Sequence, residues 1–208
     1  MDVRVYPAQR LDGVINPPGS KNYTTRYLLA AALADGESII HQPAHSEDSE
    51  ALQRCLQALG AELTHDGDKL RVKGFGRHPR PVTELNPGNA GAVLRFLIGI
   101  CAALLPAVTF VTDYGDSLGK RPQADLLTAL AQLGARADTW DGKLPITIFG
   151  GNLKGGTVTV SGEISSQYTT ALLFAAPLIG QAVHITVTGD MKYQPPIRQT
   201  LQVLREAG

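Results

Sequence analysis

The clearest pattern along the chain is a leucine-rich stretch in which apolar residues recur three and four positions apart. "LQRCLQALGAEL" at 52–63 matches "LLTALAQLGARA" at 126–137, and "LQVLREAG" at 201–208 is a third, weaker copy. This spacing predicts amphipathic helices. Each copy carries a glycine that we expect to cap the helix in left-handed backbone. These glycines recur every 74 residues, at Gly60, Gly134 and Gly208.

Other segments repeat in the same order. "GDKLRVKGFG" at 67–76 matches "GKLPITIFGG" at 142–151, and each predicts a turn, a short alternating strand and a glycine exit. "NYTTRYLLAAAL" at 22–33 matches "QYTTALLFAAPL" at 167–178, with the apolar helix pattern of 89–104 between them. A segment rich in β-branched residues follows each of these helices: "SII", "VTFVT" and "VHITVTGD".

The repeats predict a unit of strand, loop, helix, strand, helix and two-strand ribbon, about 70 to 75 residues long, present three times. The fold class is therefore α/β (α+β). The third unit reaches Gly208 without its ribbon, which would leave a sheet edge unpaired. We expect either that the chain is a fragment or that another polypeptide supplies the strands. A naturally short third unit is the alternative.

Composition narrows the function classes. The apolar content of 43% allows a sizeable core, and the formal net charge of zero argues against general nucleic-acid binding. No signal peptide is visible, and the longest apolar stretch, 96–108, is too short to cross a bilayer. Cys55 and Cys101 lie in apolar helical patterns, which favours buried free thiols over a disulfide or a nucleophile. We expect a cytoplasmic protein without membrane contact.

Candidate chemistry lies in three small polar loops, each before a predicted helix: "PGSKN" at 18–22, "NPGNAG" at 86–91 and "GEISSQ" at 162–167. Free N–H groups and the helix dipole favour anions at such positions. Lys21 adds a point charge, and Arg26 lies about one turn further along. If the units surround a pseudo-threefold axis, the three helix starts converge on an anion site, and an anion is the expected partner of these cations.

A second basic segment, "GDSLGKRP", precedes the helix of 126–137. Its Arg121 has the planar guanidinium that suits carboxylate or phosphate oxygens, and Arg95 stands in unit two where Arg26 stands in unit one. Asp48 opens the equivalent helix of unit one, where an N-cap is favoured over a role in orienting a ligand hydroxyl or a lysine. The alternative for the whole set is that the loop residues are helix caps and the cations are solvated.

Several common sites are absent from the sequence. It has no phosphate-binding Walker loop, no dinucleotide fingerprint in the right place and no His or Cys pair at zinc spacing. The five histidines are scattered. Neither a metal site nor one of these phosphate- or dinucleotide-binding motifs is therefore expected.

Four motifs together resemble the enolpyruvyl transferases: "PGSKNYTTRYLLAAALADGES", "NPGNAGAVLRFLIG", "GDSLGKRPQADLLTALAQLGA" and "SGEISSQYTTALLFAAPL". The resemblance covers nearly the whole chain and is closest to the branch of that family that acts on shikimate 3-phosphate. It implies two inside-out α/β barrel-like domains, each of three βαβαββ units around an approximate threefold axis. Residues 16–208 would form the N-terminal domain, incomplete at its C-terminal end, and 1–15 would belong to the C-terminal domain.

The resemblance also implies a reaction and its partners. The family joins phosphoenolpyruvate to the 5-hydroxyl of shikimate 3-phosphate, through a tetrahedral ketal, in aromatic amino acid biosynthesis, with no metal or organic cofactor. Phosphoenolpyruvate would contact Lys21, Gly91, Arg121 and Gln167. Shikimate 3-phosphate would contact Lys21, Asn22, Arg26, Ser165, Ser166 and Gln167. Asp48, Arg95 and Tyr193 are further candidates.

The acid–base residues of the family belong to its second half, so the resemblance implies that this chain alone is inactive until a C-terminal half joins it. Asn22 stands where serine is usual, and Tyr193 and Pro196 stand where a serine and a tyrosine touch the substrate. Two alternatives stay open. One is the sister branch, which acts on UDP-N-acetylglucosamine but carries a cysteine that the "GDSLGKRP" loop lacks. The other is a non-catalytic anion-binding half-domain.

Overall fold

In the computed structural model, which describes residues 2–10, 12–190 and 194–208, helices and strands recur in the order that the repeats predict. The first unit comprises α1 (Lys21–Leu33), β1 (Glu37–His41), α2 (Glu47–Ala58), β2 (Glu62–Asp66) and β3 (Lys69–Lys73). β3 lies between β1 and β2 and pairs antiparallel with both. The strand predicted to open this unit is not formed by residues 12–20. Val14 and Ile15 are 97% and 87% exposed there, so no packing offsets the entropy of ordering a strand.

The second unit contains every predicted element: β4 (Glu84–Leu85), α3 (Gly91–Leu104), β5 (Ala107–Phe110), α4 (Ala124–Gln132), β6 (Arg136–Trp140) and β7 (Lys143–Phe149). Its sheet has the order β4-β5-β7-β6, in which only the β4–β5 pair is parallel. A short 3₁₀ helix, Leu118–Lys120, precedes α4. This unit confirms the predicted βαβαββ pattern.

The third unit comprises β8 (Gly156–Ser161), α5 (Ser166–Ile179), β9 (Val183–Thr188) and α6 (Gln194–Glu206). β8 and β9 pair in parallel, as β4 and β5 do. In the described ranges no ribbon follows α6, and β9 has β8 as its one neighbouring strand. The third unit therefore shows the βαβα part of the pattern within those ranges.

The six helices pack against one another, and α3 and α5 make the most extensive helix–helix contact. Each helix contacts the next along the chain, and α6 returns to contact α1. The inner helix α3 has 11 of its 14 residues buried. In β3 and β7, buried residues alternate with mostly half-buried ones; Leu70 and Val72 are buried in β3, and Ile146 and Ile148 in β7. The helices thus lie inside three separate sheets, which confirms the predicted class without a closed barrel.

Small residues allow α3 and α5 to cross closely. Gly99 of α3 faces Ala171 of α5, and a Cβ built on Gly99 would lie 2.5 Å from the Ala171 carbonyl oxygen. The predicted C-cap glycines also have left-handed backbone, with φ of 108° at Gly60 and 101° at Gly134. Among the described helices, none combines the length and apolar character needed to cross a membrane.

Candidate functional site

The three predicted loops lead directly into the inner helices, and the helix starts meet at one cleft. α1 begins at Lys21, α3 at Gly91 and α5 at Ser166. The N-terminal N–H groups of each helix lack intrahelical partners and carry partial positive charge. The cleft has a volume of about 330 Å³ and is lined by Lys21, Asn22, Asp48, Asn89, Gly91, Ala92, Arg121 and Gln167. The convergence predicted from the repeats is therefore present.

Lys21 is not the unpaired cation that the sequence suggested. Its Nζ lies 2.9 Å from Oδ2 of Asp48, which belongs to the first turn of α2. The expected N-cap role of Asp48 is wrong, because Ser46 caps α2 in a reciprocal capping box with Ser49. The ion pair instead agrees with the less favoured alternative, in which Asp48 orients a lysine. Since the Lys21 side chain is 55% exposed, it remains accessible to an anion in the cleft.

Arg121 extends from the loop after the 3₁₀ helix to the first turn of α3. A Cβ built on Gly91 would lie 3.0 Å from Arg121 Nη1 and 3.9 Å from Arg95 Nη1. The missing side chain at Gly91 therefore lets the Arg121 guanidinium approach the helix start, near which the Arg95 guanidinium also lies. Neither arginine has a carboxylate within ion-pair distance in the described part of the chain. Positive charge is thus concentrated where α3 begins.

The last three residues of the "GEISSQ" loop, Ser165, Ser166 and Gln167, have different positions relative to the cleft. Ser165 is the N-cap of α5, and its hydroxyl accepts a hydrogen bond from the Gln167 N–H at 3.2 Å. Ser166 is buried at 8% exposure. Gln167 alone of the three lines the cleft.

Arg26 lies outside the cleft lining, although the repeats suggested that it would face the loop. Its guanidinium donates to Thr200 Oγ1 at 2.8 Å and to the carbonyls of Asn22 and Pro196, and it stacks 5.3 Å from the Phe96 ring centroid. Burial lowers the pKa of Arg26 to about 10, so it stays cationic at neutral pH. The alternative of a solvated Arg26 is wrong, since the residue is 3% exposed. Tyr193 lies outside the described residues.

Arg95 stands behind the cleft wall and contacts two glutamines. Its Nη1 donates to Gln167 Oε1 at 2.7 Å, and its Nε donates to Gln123 Oε1 at 2.9 Å. The guanidinium also lies 5.1 Å from the centroid of the Tyr168 ring. Burial lowers the pKa of Arg95, and the nearby charge of Arg121 lowers it further, while Tyr168 opposes the shift. Two cations held this close favour an anion beside them.

Two residues of the site were not singled out from the sequence. Asn89 lines the cleft, and its buried Oδ1 has no hydrogen-bond partner in the ranges the structure describes. Its place in the "NPGNAG" loop was an available signal. Gln123 is fully buried and links Arg95 to the backbone of Arg121. Nothing in the sequence pattern marks Gln123, because its partners are distant in sequence.

A second cavity of about 360 Å³ adjoins the cleft. Asp48 and Asn89 line both cavities, and Glu47, Glu50 and Asp113 make the second one acidic. Arg54 is its one lining cation among the described residues. An anion is therefore favoured in the cleft at the three helix starts and disfavoured in this neighbour.

Comparison with known proteins connects this geometry to a family. The sequence model described as EPSP synthase (3-phosphoshikimate 1-carboxyvinyltransferase) matches residues 5–208. A 3-phosphoshikimate 1-carboxyvinyltransferase from Deinococcus radiodurans is 54% identical over 207 residues, which is 100% of this chain and 47% of that protein. One from Methanococcoides burtonii is 40% identical, over 94% of this chain and 46% of its own length.

A solved structure agrees. The EPSP synthase of Acinetobacter baumannii superposes with a TM-score of 0.80 at 25% sequence identity, over 93% of this chain and 43% of that one. The chain spans about half the length of the curated relatives it matches.

Proposed function

The chain belongs to the EPSP synthase family, and from that membership we propose that its cleft is one half of an enolpyruvyl transfer site. The substrates are shikimate 3-phosphate and phosphoenolpyruvate. The 5-hydroxyl oxygen of the first adds to C2 of the second while C3 gains a proton, giving a tetrahedral ketal. Loss of phosphate and of a C3 proton then restores the double bond in the product.

One observation supports this proposal above the others. Lys21, Arg121 and Gln167 line a single cleft at three helix N-termini, and all three side chains can donate hydrogen bonds. Both substrates carry several negative charges, so the site must offset their mutual repulsion. Lys21 supplies a compact charge between the two anions, and the Arg121 guanidinium suits paired carboxylate or phosphate oxygens.

We propose the remaining assignments for the same site. Phosphoenolpyruvate contacts Lys21, the Gly91 backbone, Arg121 and Gln167. Shikimate 3-phosphate contacts Lys21, Asn22 and Gln167, and the first turn of α5 at Ser165 and Ser166 lies beside it. Arg26 is 3% exposed and does not line the cleft, so its proposed role is weaker than that of Lys21.

We propose that a C-terminal half of the same enzyme supplies the acid–base groups. Asp48 is the one carboxylate that lines the cleft among the described residues, and it is paired with Lys21. No free carboxylate therefore stands ready there to move the C3 proton. In this proposal residues 1–15, whose Val3, Val5 and Tyr6 are exposed, pack against that other half in the cytoplasm.

Calorimetry on the purified chain tests the binding half of the proposal. Shikimate 3-phosphate is expected to bind, and Lys21→Met is expected to weaken binding at least ten-fold, since a charge-assisted contact contributes about 1.5–3 kcal/mol. Lys154→Met, an exposed lysine outside the cleft, is the matched control and should bind as the parent does. UDP-N-acetylglucosamine should not bind. Binding of the UDP-sugar alone would favour the sister branch of the family.

A phosphate-release assay with both substrates tests the division of labour. The chain alone is expected to give no turnover, and adding a separately produced C-terminal half from a close relative should produce it. Turnover by the chain alone at an ordinary enzymatic rate would contradict the need for acid–base groups from elsewhere.

A further inference from the structure

Arg95 does not line the cleft, yet it hydrogen-bonds to Gln167, a proposed ligand contact, and is linked to a second one, Arg121, through Gln123. It lies one turn into α3, half-buried, and its guanidinium spans from Gln167 on α5 to Gln123 before α4. The proposed ligand contacts do not require Arg95.

The first contact determines which end of the Gln167 amide faces the cleft. A guanidinium carries hydrogen-bond donors and no acceptor, so it can bond only to the amide oxygen of a glutamine. Arg95 Nη1 holds that oxygen at 2.7 Å. The Gln167 NH₂ group must therefore point away from Arg95, and it makes no hydrogen bond to the described residues. The Gln167 NH₂ group is thereby left free to donate a hydrogen bond to an anion in the cleft that Gln167 lines.

The second contact fixes the chain that carries Arg121. Gln123 accepts from Arg95 Nε at 2.9 Å, and its own NH₂ donates to the Arg121 carbonyl at 3.0 Å. The Gln123 backbone N–H also donates to the Gly142 carbonyl at 2.8 Å. Because Gln123 is fully buried, breaking these bonds would leave unsatisfied polar groups. Arg95 thus reaches the Arg121 backbone through one rigid side chain.

Tyr168 completes the arrangement. Its ring stacks against the Arg95 guanidinium, and its hydroxyl donates to the Pro122 carbonyl at 2.9 Å. The Arg121–Gln123 segment is therefore tied to the first turn of α5 from two sides. Small shifts in such a network change ligand geometry by the few tenths of an ångström that matter for hydrogen bonding.

We propose that Arg95 is a positioning residue, which turns the Gln167 NH₂ into the cleft and holds the Arg121 backbone so that both donors meet one anionic substrate. The identity of that substrate rests on the proposed function. The orientation of the amide does not, because it follows from the donor-only chemistry of the guanidinium.

The first test needs no ligand. In ¹⁵N-labelled chain, the heteronuclear NOE of the Gln167 side-chain nitrogen reports its mobility on the ps–ns timescale. It should be high in the parent chain and fall in Arg95→Met to the value of Gln57, an exposed glutamine that serves as the internal control. Equal mobility of Gln167 in the parent and in Arg95→Met would overturn the proposal. The far-UV spectrum and the melting temperature establish that the variant is folded.

The second test separates positioning from charge. Arg95→Lys keeps the positive charge but replaces the planar fork by a single nitrogen, which cannot hold the two glutamine oxygens in the positions where Nε and Nη1 hold them. Both Arg95→Lys and Arg95→Met should weaken shikimate 3-phosphate binding by about ten-fold, the size expected for one lost charge-assisted hydrogen bond. Parent-like affinity in Arg95→Lys would show that charge alone matters and would refute positioning.

A double-mutant cycle completes the design. In a Gln167→Ala background the contact between Arg95 and Gln167 is already lost, so Arg95→Met can weaken binding only through Arg121. Gln123→Met measures this second effect separately. Once it is subtracted, Arg95→Met should weaken binding by less than about two-fold in that background. Full additivity of Arg95→Met and Gln167→Ala would contradict the coupling. If the parent chain binds no shikimate 3-phosphate, the proposed function fails, while the amide measurement still decides the role of Arg95.

Discussion

Replacing Gly99 by alanine should push helices α3 and α5 apart. The new Cβ would lie 2.5 Å from the Ala171 carbonyl oxygen, 3.0 Å from its carbonyl carbon and 3.2 Å from its Cβ. These are main-chain atoms and a methyl group, so no flexible side chain can move aside. The helices must shift apart by roughly half an ångström or more to reach ordinary contact distances.

Two opposing terms give the magnitude. Alanine favours a helix interior over glycine by about 0.8–1.0 kcal/mol. Over-packing of a tight core typically costs 1–3 kcal/mol, and a clash with rigid backbone belongs at the upper end of that range. The net expectation is a destabilisation of about 1–2 kcal/mol, which for a chain of this size lowers the melting temperature by roughly 2–8 °C.

Urea unfolding followed by circular dichroism measures the effect, with the m-value required to stay constant. Gly115→Ala is the matched control, because its Cβ would meet no atom within 4 Å, and it should change the free energy of unfolding by less than about 0.5 kcal/mol. A Gly99→Ala chain as stable as the parent, or more stable, would refute the close α3–α5 crossing.

The remaining predictions concern a helix cap, a thiol and an ion pair. Ser165→Ala should cost about 1 kcal/mol because its hydroxyl caps α5, whereas Ser20→Ala should cost under about 0.5 kcal/mol because its hydroxyl caps nothing; equal losses in urea unfolding would argue against this difference. Burial raises the pKa of Cys55 from 9.0 to about 11. Its stabilising contribution is therefore complete below pH 9 and lost as the pH rises through 11, which urea midpoints between pH 8 and 11 would reveal; a flat profile would count against it. Asp48→Asn should change the free energy of unfolding by less than about 1 kcal/mol, because its pair with Lys21 is partly exposed to solvent, at 55% for the lysine and 29% for the aspartate side chain; a loss above about 2 kcal/mol would indicate a structural role for the pair.

Much of the fold could be predicted because the same pattern of helices and strands recurs in successive repeats of the sequence. The periodic leucines and the glycines that follow them predicted α2 and α4, and the repeated alternating segments predicted the strands of the ribbons. The missing opening strand of the first unit could not be foreseen, since Val14 and Ile15 have the right chemistry for a strand and lack only a surface to pack against. The local sequence pattern indicates the propensity of a segment to form a strand, whereas actual strand formation depends on whether neighbouring elements bury its side chains.

The sequence predicted that three helix starts converge on one cleft, but it did not predict which residues the charged side chains contact. Lys21 and Asp48 are distant in sequence, so their ion pair could be suggested but not established before the fold was known. Arg26 and Arg95 occupy matching helical positions, yet Arg26 turns toward α6 and Arg95 toward α5. The direction of a long side chain is set by tertiary contacts that sequence spacing does not encode.

Titration of the ¹⁵N-labelled chain with shikimate 3-phosphate tests the central claim most directly. If the three helix starts form one anion site, the backbone amides of residues 21–23, 91–93 and 166–168 should shift together, with a single shared Kd. Shifts confined to one of these helix starts, or centred on the acidic cavity around Glu47 and Asp113, would contradict it.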